Sequence, residues 1–248
     1  MRLLYINKTK GVTLTPSSEN PNYPIGNLQD SRLSRHFRFT GDTAENIVIS
    51  NGGVSKISAS YVAVLGHNLT AAAVVKIEGN DLDAWGAPAF TATITWSADI
   101  MLKDFTEAEY FYWRFTFVDA ANPNTYIKVG LLYLGTYYQV LQGFEKNFNN
   151  QLVNTDISHF SDSGQSYSRK GINFRVYKFS FTWWEDAVKR QVETIVKSVG
   201  KSDPFIALLD ELNFVAMPAL YCKIEAEPEY NNIIAYIWQS GITLREVF

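Results

Sequence analysis

The sequence predicts a mainly β protein, with an N-terminal β-sandwich or jelly roll followed by a C-terminal α+β domain in which one helix packs on an antiparallel sheet. Three observations support this fold class. The first half contains roughly eight short alternating runs separated by turn residues, with no helical period between them. Aromatic residues, which favour strands, make up 15% of the chain. The one long stretch with helical spacing lies within residues 182–204.

Charge argues against nucleic-acid and membrane partners. The net charge is −3, and residues 1–140 carry 11 Lys and Arg against 12 Asp and Glu. Neither half is basic, as a nucleic-acid-binding surface would require. The most apolar run, residues 127–141, is interrupted by Lys128 and has a period of two, which is typical of a strand and not of a membrane span. We therefore expect no nucleic acid and no membrane insertion.

Cysteine usage and the N-terminus indicate the compartment. Cys222 is the one cysteine, so an intrachain disulfide is excluded and a reducing environment is expected. Because Cys222 alternates with Leu220 and Ile224, we predict a small buried residue. The N-terminal residues lack the apolar core of a signal peptide, which predicts synthesis in a cytoplasm.

Residues 1–138 are predicted to form the sandwich domain. A proline-rich segment at 15–41 is expected to be a loop that packs on the core. Asn51-Gly52 is a favoured pair for a type I′ turn. The clearest alternation predicts one shared face for Phe111, Trp113, Phe115 and Phe117. The remaining strands are expected at 1–15, 47–50, 61–65, 73–78, 92–96 and 126–134.

Residues 139–248 are predicted to form the α+β domain. A polar stretch at about 144–171 indicates an extended arm or a long hairpin. A strand from Asn173 then leads into the helix, and one face of that strand is expected to carry Tyr177, Phe179, Phe181 and Trp183. Later strands are expected at 205–209, 219–226, 233–238 and 242–247.

The helix is expected at about residues 183–199. Thr182 and Glu185 have the spacing of a capping box, and Gly200 and Pro204 give a C-terminal stop. Three- and four-residue steps predict one apolar stripe, formed by Trp184, Val188, Val192, Ile195, Val196 and Val199. A helix with a single apolar stripe needs a surface to cover, so we place it on the sheet.

The order of several segments resembles a known family. The run NPNYPIGNLQDSRLSRHFRF, followed by NIVIS, SYVAVLGHNL and VVKIEGND, is similar to the discoidin-like, galactose-binding-type jelly rolls in tail proteins of long-tailed bacteriophages. YWRFTFVDAANPNTYIKVGLLYLG resembles the closing strands of that module. SGQSYSRKGINFRVYKFSFTWW, the helix, SDPFIALLD and ITLREV resemble the C-terminal domain of tail-tip or baseplate components.

This resemblance implies a structural protein near the distal end of a phage tail, assembled as a symmetric ring, three-fold or six-fold, that docks to other tail proteins. It implies no catalysis, and it leaves sugar binding by the first module open. Eukaryotic discoidin domains commonly join their ends with a disulfide, which Cys222 alone cannot provide.

No catalytic residues are expected. His159, Asp162 and Ser163 echo a serine-protease triad, but a triad draws its members from separated segments that converge in the fold. Three neighbours on one polar loop are explained more simply as a turn. No pair of facing carboxylates for a glycan-active enzyme can be placed from the sequence.

No cofactor and no metal centre are expected. The three His residues have no ligand spacing for zinc. Asn80, Asp81 and Asp83 offer hard oxygens to Ca²⁺, yet the same residues are ordinary turn chemistry and a calcium site needs six or more oxygens.

A basic cluster comprises Arg32, Arg35, His36 and Arg38. Phosphate or an acidic glycan would fit it. Neutralisation by Asp30, Asp42 and Glu45, which lie nearby in sequence, is the competing explanation.

Aromatic side chains suggest where a sugar could bind. Trp85 sits in a loop rich in Gly and Pro and is the candidate glycan-binding residue. Trp96, Trp113 and Trp183 fall on strand faces and are expected in the cores. His67, in Gly-His-Asn, is expected to cap a strand end.

The arm carries widely spaced aromatic residues on a polar background: Phe144, Phe148, Phe160 and Tyr167. Segments of this kind become ordered on a neighbouring subunit, so we expect these residues to make contacts between copies.

The resemblance therefore implies a non-enzymatic structural component of a phage tail tip or baseplate, made in the host cytoplasm and located in the virion. The alternative is a carbohydrate-binding module that recognises host surface glycans through loops of the first domain.

Overall fold

The computed structural model describes residues 1–140, 149–209 and 219–248. Phe144 and Phe148 lie outside the described residues. The chain divides into two compact units. The sandwich unit comprises Ile6–Tyr137 and Phe248, and the helix unit comprises Met1–Tyr5 and Tyr138–Val247. The prediction of a mainly β chain with a sandwich and a helix-backed antiparallel sheet is confirmed.

The first strand differs from the expected domain boundary. Strand β1 (Arg2–Leu4) pairs with segments far along the chain, because Arg2 lies opposite both Leu208 and Gln139. The first five residues therefore belong to the helix unit, and the sandwich unit begins at Ile6. Pairing partners roughly 140 and 200 residues away leave no local signal in the sequence.

The sandwich unit contains short antiparallel strands and one 3₁₀ helix. In chain order they are β2 (Thr13–Pro16), the 3₁₀ helix (Ile25–Gln29), β3 (Phe37–Arg38), β4 (Glu45–Ser50), β5 (Ile57–Leu65), β6 (Val74–Asn80), β7 (Phe90–Ile94), β8 (Ile100–Tyr110), β9 (Tyr112–Val118), β10 (Lys128–Val129) and β11 (Leu131–Gly135). They form a five-stranded sheet in the order β2-β4-β9-β6-β7, a three-stranded sheet β11-β5-β8, and the pair β10-β3.

The core of the sandwich unit lies between its sheets. Alternate residues of β4, β6 and β9 meet those of β5, β8 and β11 in one buried cluster. Trp113 is fully buried, and its indole N–H donates to the Ile57 carbonyl at 2.9 Å, which links the five-stranded and three-stranded sheets. The expected face of Trp113, Phe115 and Phe117 is thus buried, whereas Phe111 lies between two strands and outside this cluster.

The helix unit contains the remaining elements. In chain order they are β12 (Tyr138–Gln139), β13 (Asn149–Asn154), β14 (Ile157–Phe160), β15 (Ser166–Arg169), β16 (Asn173–Glu185), α1 (Asp186–Val199), β17 (Phe205–Leu208), β18 (Ala219–Ala226), β19 (Tyr230–Ile234) and β20 (Ile237–Glu246). The main sheet has the order β12-β1-β17-β18-β20-β16-β13, with β19 also paired to β20.

An irregularity in β16 changes which tryptophan is buried. The register between β16 and β20 shifts between Phe181 and Trp184, so these two residues face the same side of the sheet. Trp184 is fully buried and its ring centroid lies 4.5 Å from that of Phe181. The prediction that Trp183 shares the inner face is wrong, because the bulge turns Trp183 outward, where it is 63% exposed.

Helix α1 starts later than the sequence indicates. Thr182 lies inside β16, and Glu185, the N-cap, makes no side-chain capping hydrogen bond, so the predicted capping box is absent. Pairing of Glu185 with Ile237 keeps this segment extended. The helix ends before Gly200, whose positive φ of 54° and N–H bond to Val196 close the last turn. Val192, Ile195 and Val199 are buried against the sheet.

The described part of the expected arm, residues 149–171, is largely regular structure. Strand β13 joins the main sheet by pairing with β16, and β14 and β15 form a separate hairpin. Within the described residues, no helix is long and apolar enough to cross a membrane.

Candidate functional site

Trp85 lies in the loop between β6 and β7, which is exposed at most of its positions. The Trp85 indole N–H donates to Asp83 Oδ1 at 2.7 Å. The ring lies over the guanidinium of Arg114, 4.4 Å from the ring centroid to Cζ. Two contacts therefore fix the orientation of a partly exposed aromatic ring on a surface loop.

An ion pair supports Arg114 beneath this ring. Arg114 donates from Nε to Glu78 Oε2 at 2.7 Å, and its second nitrogen lies 2.6 Å from the same oxygen. Glu78 and Arg114 are direct partners across β6 and β9. Their side chains are only 11% and 18% exposed, so the pair is largely shielded from water. The Trp85 loop thus rests on a fixed charged pair on the five-stranded sheet.

The calcium candidates have other partners. Asp81 forms an ion pair of 2.9 Å with Lys56, and Asp83 accepts from Trp85. The Asn80 amide donates to the Ala84 carbonyl at 2.6 Å. Among the residues that the structure describes, no group of three His, Cys, Asp or Glu could hold a metal ion. The three side chains are accounted for as turn and loop contacts.

The loop as a whole combines an oriented ring with charged groups. Lys56 lies beside the Phe111 ring at 5.4 Å and pairs with Asp81, while Asp83 holds Trp85. A flat ring provides a surface for an apolar ligand face, and the neighbouring carboxylates and ammonium can exchange hydrogen bonds with hydroxyl groups. We name Trp85, Asp83, Asp81, Lys56 and Arg114 the Trp85 site.

The other tryptophans considered from the sequence differ in burial. Trp113 lies in the core as predicted, but the prediction that Trp96 does so is wrong, since it is 37% exposed. Trp96 comes just after β7 ends at Ile94, and its indole N–H donates to the Leu69 carbonyl at 3.0 Å. Trp96 lies beyond the end of β7, so the alternation of that strand does not direct its side chain into the core.

His67 connects two loops at a strand end. Its Nδ1 accepts from the Leu69 N–H at 3.2 Å, and its Nε2 lies 3.0 Å from the Ser97 carbonyl. Both contacts are satisfied when the neutral ring carries its proton on Nε2. Burial of the ring, together with the charge of Lys128, lowers the pKa of His67. This geometry supports the expected role in a loop that ends a strand.

The serine-triad candidates lie together at one hairpin. His159 is exposed in β14, opposite Tyr167, and Ser163 is in the turn that follows. The Ser163 hydroxyl is 2.8 Å from the Ser161 hydroxyl, a hydrogen bond within the turn. Cys222 is fully buried, and burial raises the pKa of its thiol.

The basic cluster splits into two parts. Arg32 and Arg35 both lie beside Asp30, at 2.6 and 3.5 Å. Hydrogen bonds from Arg32 hold the pKa of the Asp30 carboxyl well below its usual range. Local neutralisation therefore applies to these two arginines. Arg38 does not take part in this group and lies instead against the Tyr126 ring.

The β14–β15 hairpin carries the two assembly candidates that are described. All eight residues of its strands are exposed, including Phe160 at 76% and Tyr167 at 61%. At its base, the Thr155 hydroxyl donates to Ile172 and accepts from the Ile172 N–H. An isolated two-stranded ribbon is marginally stable in water, so this hairpin presents aromatic groups without a core of its own.

A groove of about 420 Å³ lies beside the end of α1 in the helix unit. Val196, Ile224 and Pro228 give it apolar walls, and Tyr230 lines it as well. The Tyr230 hydroxyl is buried and has no hydrogen-bond partner among the residues that the structure describes. The sequence analysis named Val196, Gly200 and Ile224 only as residues of the helix and of a strand, and predicted no binding site here.

Sequence reasoning missed the partners that hold the candidate residues. Glu78 and Arg114 occur on the polar side of alternating strands, which indicates only that they face away from the core. Their contact depends on β6 lying beside β9, although β7 and β8 intervene in the chain. Tyr126 and Lys128 were likewise missed as neighbours of Arg38.

No protein-family model matches the chain, and no curated protein sequence matches it. Similar solved structures exist at low identity. One is a fucose binding module, SpX-3, of Streptococcus pneumoniae. The two chains are 12% identical, and the match covers 54% of this chain and 99% of the SpX-3 chain, with a TM-score of 0.43.

Two further similar structures are a chitosan-binding module of a chitosanase/glucanase from Paenibacillus sp. IK-5 and a family 32 carbohydrate-binding module of Clostridium perfringens NanJ in complex with galactose. The first is 17% identical over 54% of this chain and 99% of its own, with a TM-score of 0.38. The second is 11% identical over 56% of this chain and 100% of its own, with a TM-score of 0.42.

Proposed function

We propose that the chain is a glycan-binding protein and that its sandwich unit carries the binding site at Trp85. The observation that carries this proposal is the fixed Trp85 indole on an exposed loop, held by Asp83 and Arg114. Because the ring is already oriented, a ligand does not have to order it on binding. Such preorganisation favours affinity.

The chemistry around the ring suits a sugar. One face of a pyranose ring is apolar and packs on an indole, while its hydroxyl groups require donors and acceptors at the rim. Asp83 contacts Trp85, and Asp81 of the same loop, paired with Lys56, supplies further acceptor and donor groups. The carboxylate of Glu78 is occupied by Arg114, so it supports the loop and does not face a ligand as a free acid.

A glycan array tests this proposal with the full chain. We expect binding to a defined subset of glycans, lost in W85A and kept in W183A. Trp183 is the matched control because it is an exposed indole in the helix unit. Absence of binding to any glycan, or equal loss in W183A, would contradict the proposal.

A second candidate function is assembly through the β14–β15 hairpin. The supporting observation is the exposure of Phe160 and Tyr167 on a ribbon that has no core of its own. Contact with a second copy would remove these rings from water and stabilise the ribbon. Assembly as a three-fold or six-fold ring in a phage tail tip or baseplate, docked to other tail proteins in the virion, is supported by the sequence resemblance.

Sedimentation velocity tests assembly. We expect the full chain to sediment as an oligomer and the double variant F160S/Y167S to sediment as a monomer. L82S is the control, because Leu82 is an equally exposed apolar residue on a loop of the sandwich unit, at 70%. A monomeric full chain at high concentration would contradict this second function, as would dissociation caused by L82S.

A further inference from the structure

Two positive side chains lie directly opposite each other in the sandwich unit. Arg38 and Lys128 are partners in the antiparallel pair of β3 and β10, which is only two residues long. Like charges at directly opposed positions destabilise a strand pair. An arrangement of this kind calls for a compensating negative charge.

Three carboxylates of the sandwich unit are engaged by other groups. Asp30 pairs with Arg32 and Arg35. Two serine hydroxyls, from Ser17 and Ser18, donate to the Glu45 carboxylate. Asp119 is buried and accepts from the backbone N–H and hydroxyl of Thr70 and from the Asn122 amide.

Arg38 and Lys128 themselves have no ion-pair partner in the part of the chain that the structure describes. The Arg38 Nε is buried and makes no hydrogen bond to any described residue. Among the described residues, no carboxylate thus lies within ion-pair distance of either cation.

Aromatic rings hold the Arg38 guanidinium in place. Its Cζ lies 3.3 Å from the centroid of the Tyr126 ring and 5.9 Å from that of Tyr23. Tyr23 in turn stacks on His36, with ring centroids 4.6 Å apart and planes 17° from parallel. The backbone N–H of Arg38 donates to the Tyr23 carbonyl at 3.2 Å, so the main chain at Arg38 is held in place as well. Stacking orients the guanidinium without using its hydrogen-bond donors.

The surroundings of His36 agree with a positive environment. Burial of the ring lowers the pKa of His36, and the charge of Lys128 lowers it further, with a smaller effect from Arg38. The site thus contains two permanent cations beside an imidazole whose pKa is lowered by burial first and by their charge second.

We propose that Arg38 and Lys128 form a binding site for an oxyanion: a carboxylate, sulfate or phosphate group of a ligand. The fixed guanidinium would donate two parallel N–H bonds to such a group, and the Lys128 ammonium would add a second positive charge. Binding converts the repulsion between opposed strands into attraction to a shared anion. The proposal does not depend on the Trp85 site, whose residues come from other segments of the sandwich unit.

Titrations with inorganic sulfate, inorganic phosphate and glucuronic acid test the site, at an ionic strength kept constant with sodium chloride. We expect saturable binding by calorimetry and a matching rise in the thermal midpoint of the full chain. K128Q is the informative variant. Because it removes the like-charge contact, it should raise the midpoint without anion, and yet weaken anion binding by about tenfold or more.

R38Q should weaken anion binding at least as much, and R32Q should not, since Arg32 is already paired with Asp30. If R38Q fails to fold, K128Q decides the question. Tighter binding of glucuronic acid than of sulfate and phosphate would identify an acidic sugar as the ligand, and the reverse order would identify a free or esterified inorganic anion. No saturable binding of any of the three, unchanged affinity in K128Q, or equal loss in R32Q would overturn the proposal.

Discussion

The Trp85 ring lies over the Arg114 guanidinium, with 4.4 Å between the ring centroid and Cζ. Glu78 holds the same guanidinium from its edge through two contacts to one carboxylate oxygen. The orientation of the candidate sugar platform therefore depends on an ion pair that belongs to the sheet. A loop residue becomes a fixed surface because two strand residues support it.

This ion pair should be important for stability. In E78A the Arg114 charge stays largely shielded from water but loses its partner, so we expect the free energy of unfolding to fall by about 2–3 kcal/mol. Urea denaturation of the full chain measures the change. D81N is the control, because the Lys56–Asp81 pair is exposed and should contribute about 0–1 kcal/mol. A loss in E78A no larger than that in D81N would show that the pair is not effectively buried.

His67 should make the free energy of unfolding depend on pH in the acidic range. Its pKa is lowered in the folded state, so between the folded and unfolded pKa values the unfolded chain binds more protons. The contribution of His67 is therefore present above about pH 6.5 and is lost as the pH falls below that value. Protonation of Nδ1 would also remove the acceptor for the Leu69 N–H.

Urea midpoints at about pH 7.5 and about pH 5 test this dependence. H67Q should show a smaller drop on acidification than the wild-type chain. H159Q, which changes an exposed ring on the hairpin, should show the full drop. An unchanged drop in H67Q would assign the acid sensitivity to other groups.

Tyr230 offers a test at alkaline pH. Burial raises the pKa of its hydroxyl to about 12, with a smaller effect from Glu193. The folded state thus retains a proton that the unfolded chain releases near pH 10, so stability should fall between about pH 10 and 12. Y230F should remove that part of the loss, whereas Y167F, at an exposed ring, should not.

Y230F also tests how the buried hydroxyl of Tyr230 affects stability at neutral pH. Because the Tyr230 hydroxyl is buried and finds no hydrogen-bond partner in residues 1–140, 149–209 and 219–248, its removal should leave stability at neutral pH unchanged or raise it by up to about 1 kcal/mol. A clear loss of stability in Y230F would mean that the hydroxyl has a partner in solution, such as a bound water.

Local patterns predicted the elements but not their long-range pairing. Alternation placed Phe115 and Phe117 in the core, and three- and four-residue spacing placed Val192 and Ile195 under the helix. The bulge that buries Trp184 and exposes Trp183 depends on the register with β20, some fifty residues later. Single-sequence patterns contain no information on such a register.

The candidate site shows the same division. A loop rich in Gly and Pro correctly indicated that Trp85 lies near the surface, because such residues end strands. Its support by Arg114 could not be predicted, since that contact requires β6 and β9 to be neighbours. For Arg38, proximity in sequence suggested neutralisation by Asp30, Asp42 and Glu45, but strand pairing places Lys128 opposite it.

Calorimetric titration of the full chain with the oligosaccharide bound most strongly on the array tests the central claim most directly. If Trp85 is the sugar platform, W85A should bind at least about tenfold more weakly while W183A stays within about twofold of the wild type. Equal affinities in W85A and the wild type would contradict a glycan site at Trp85.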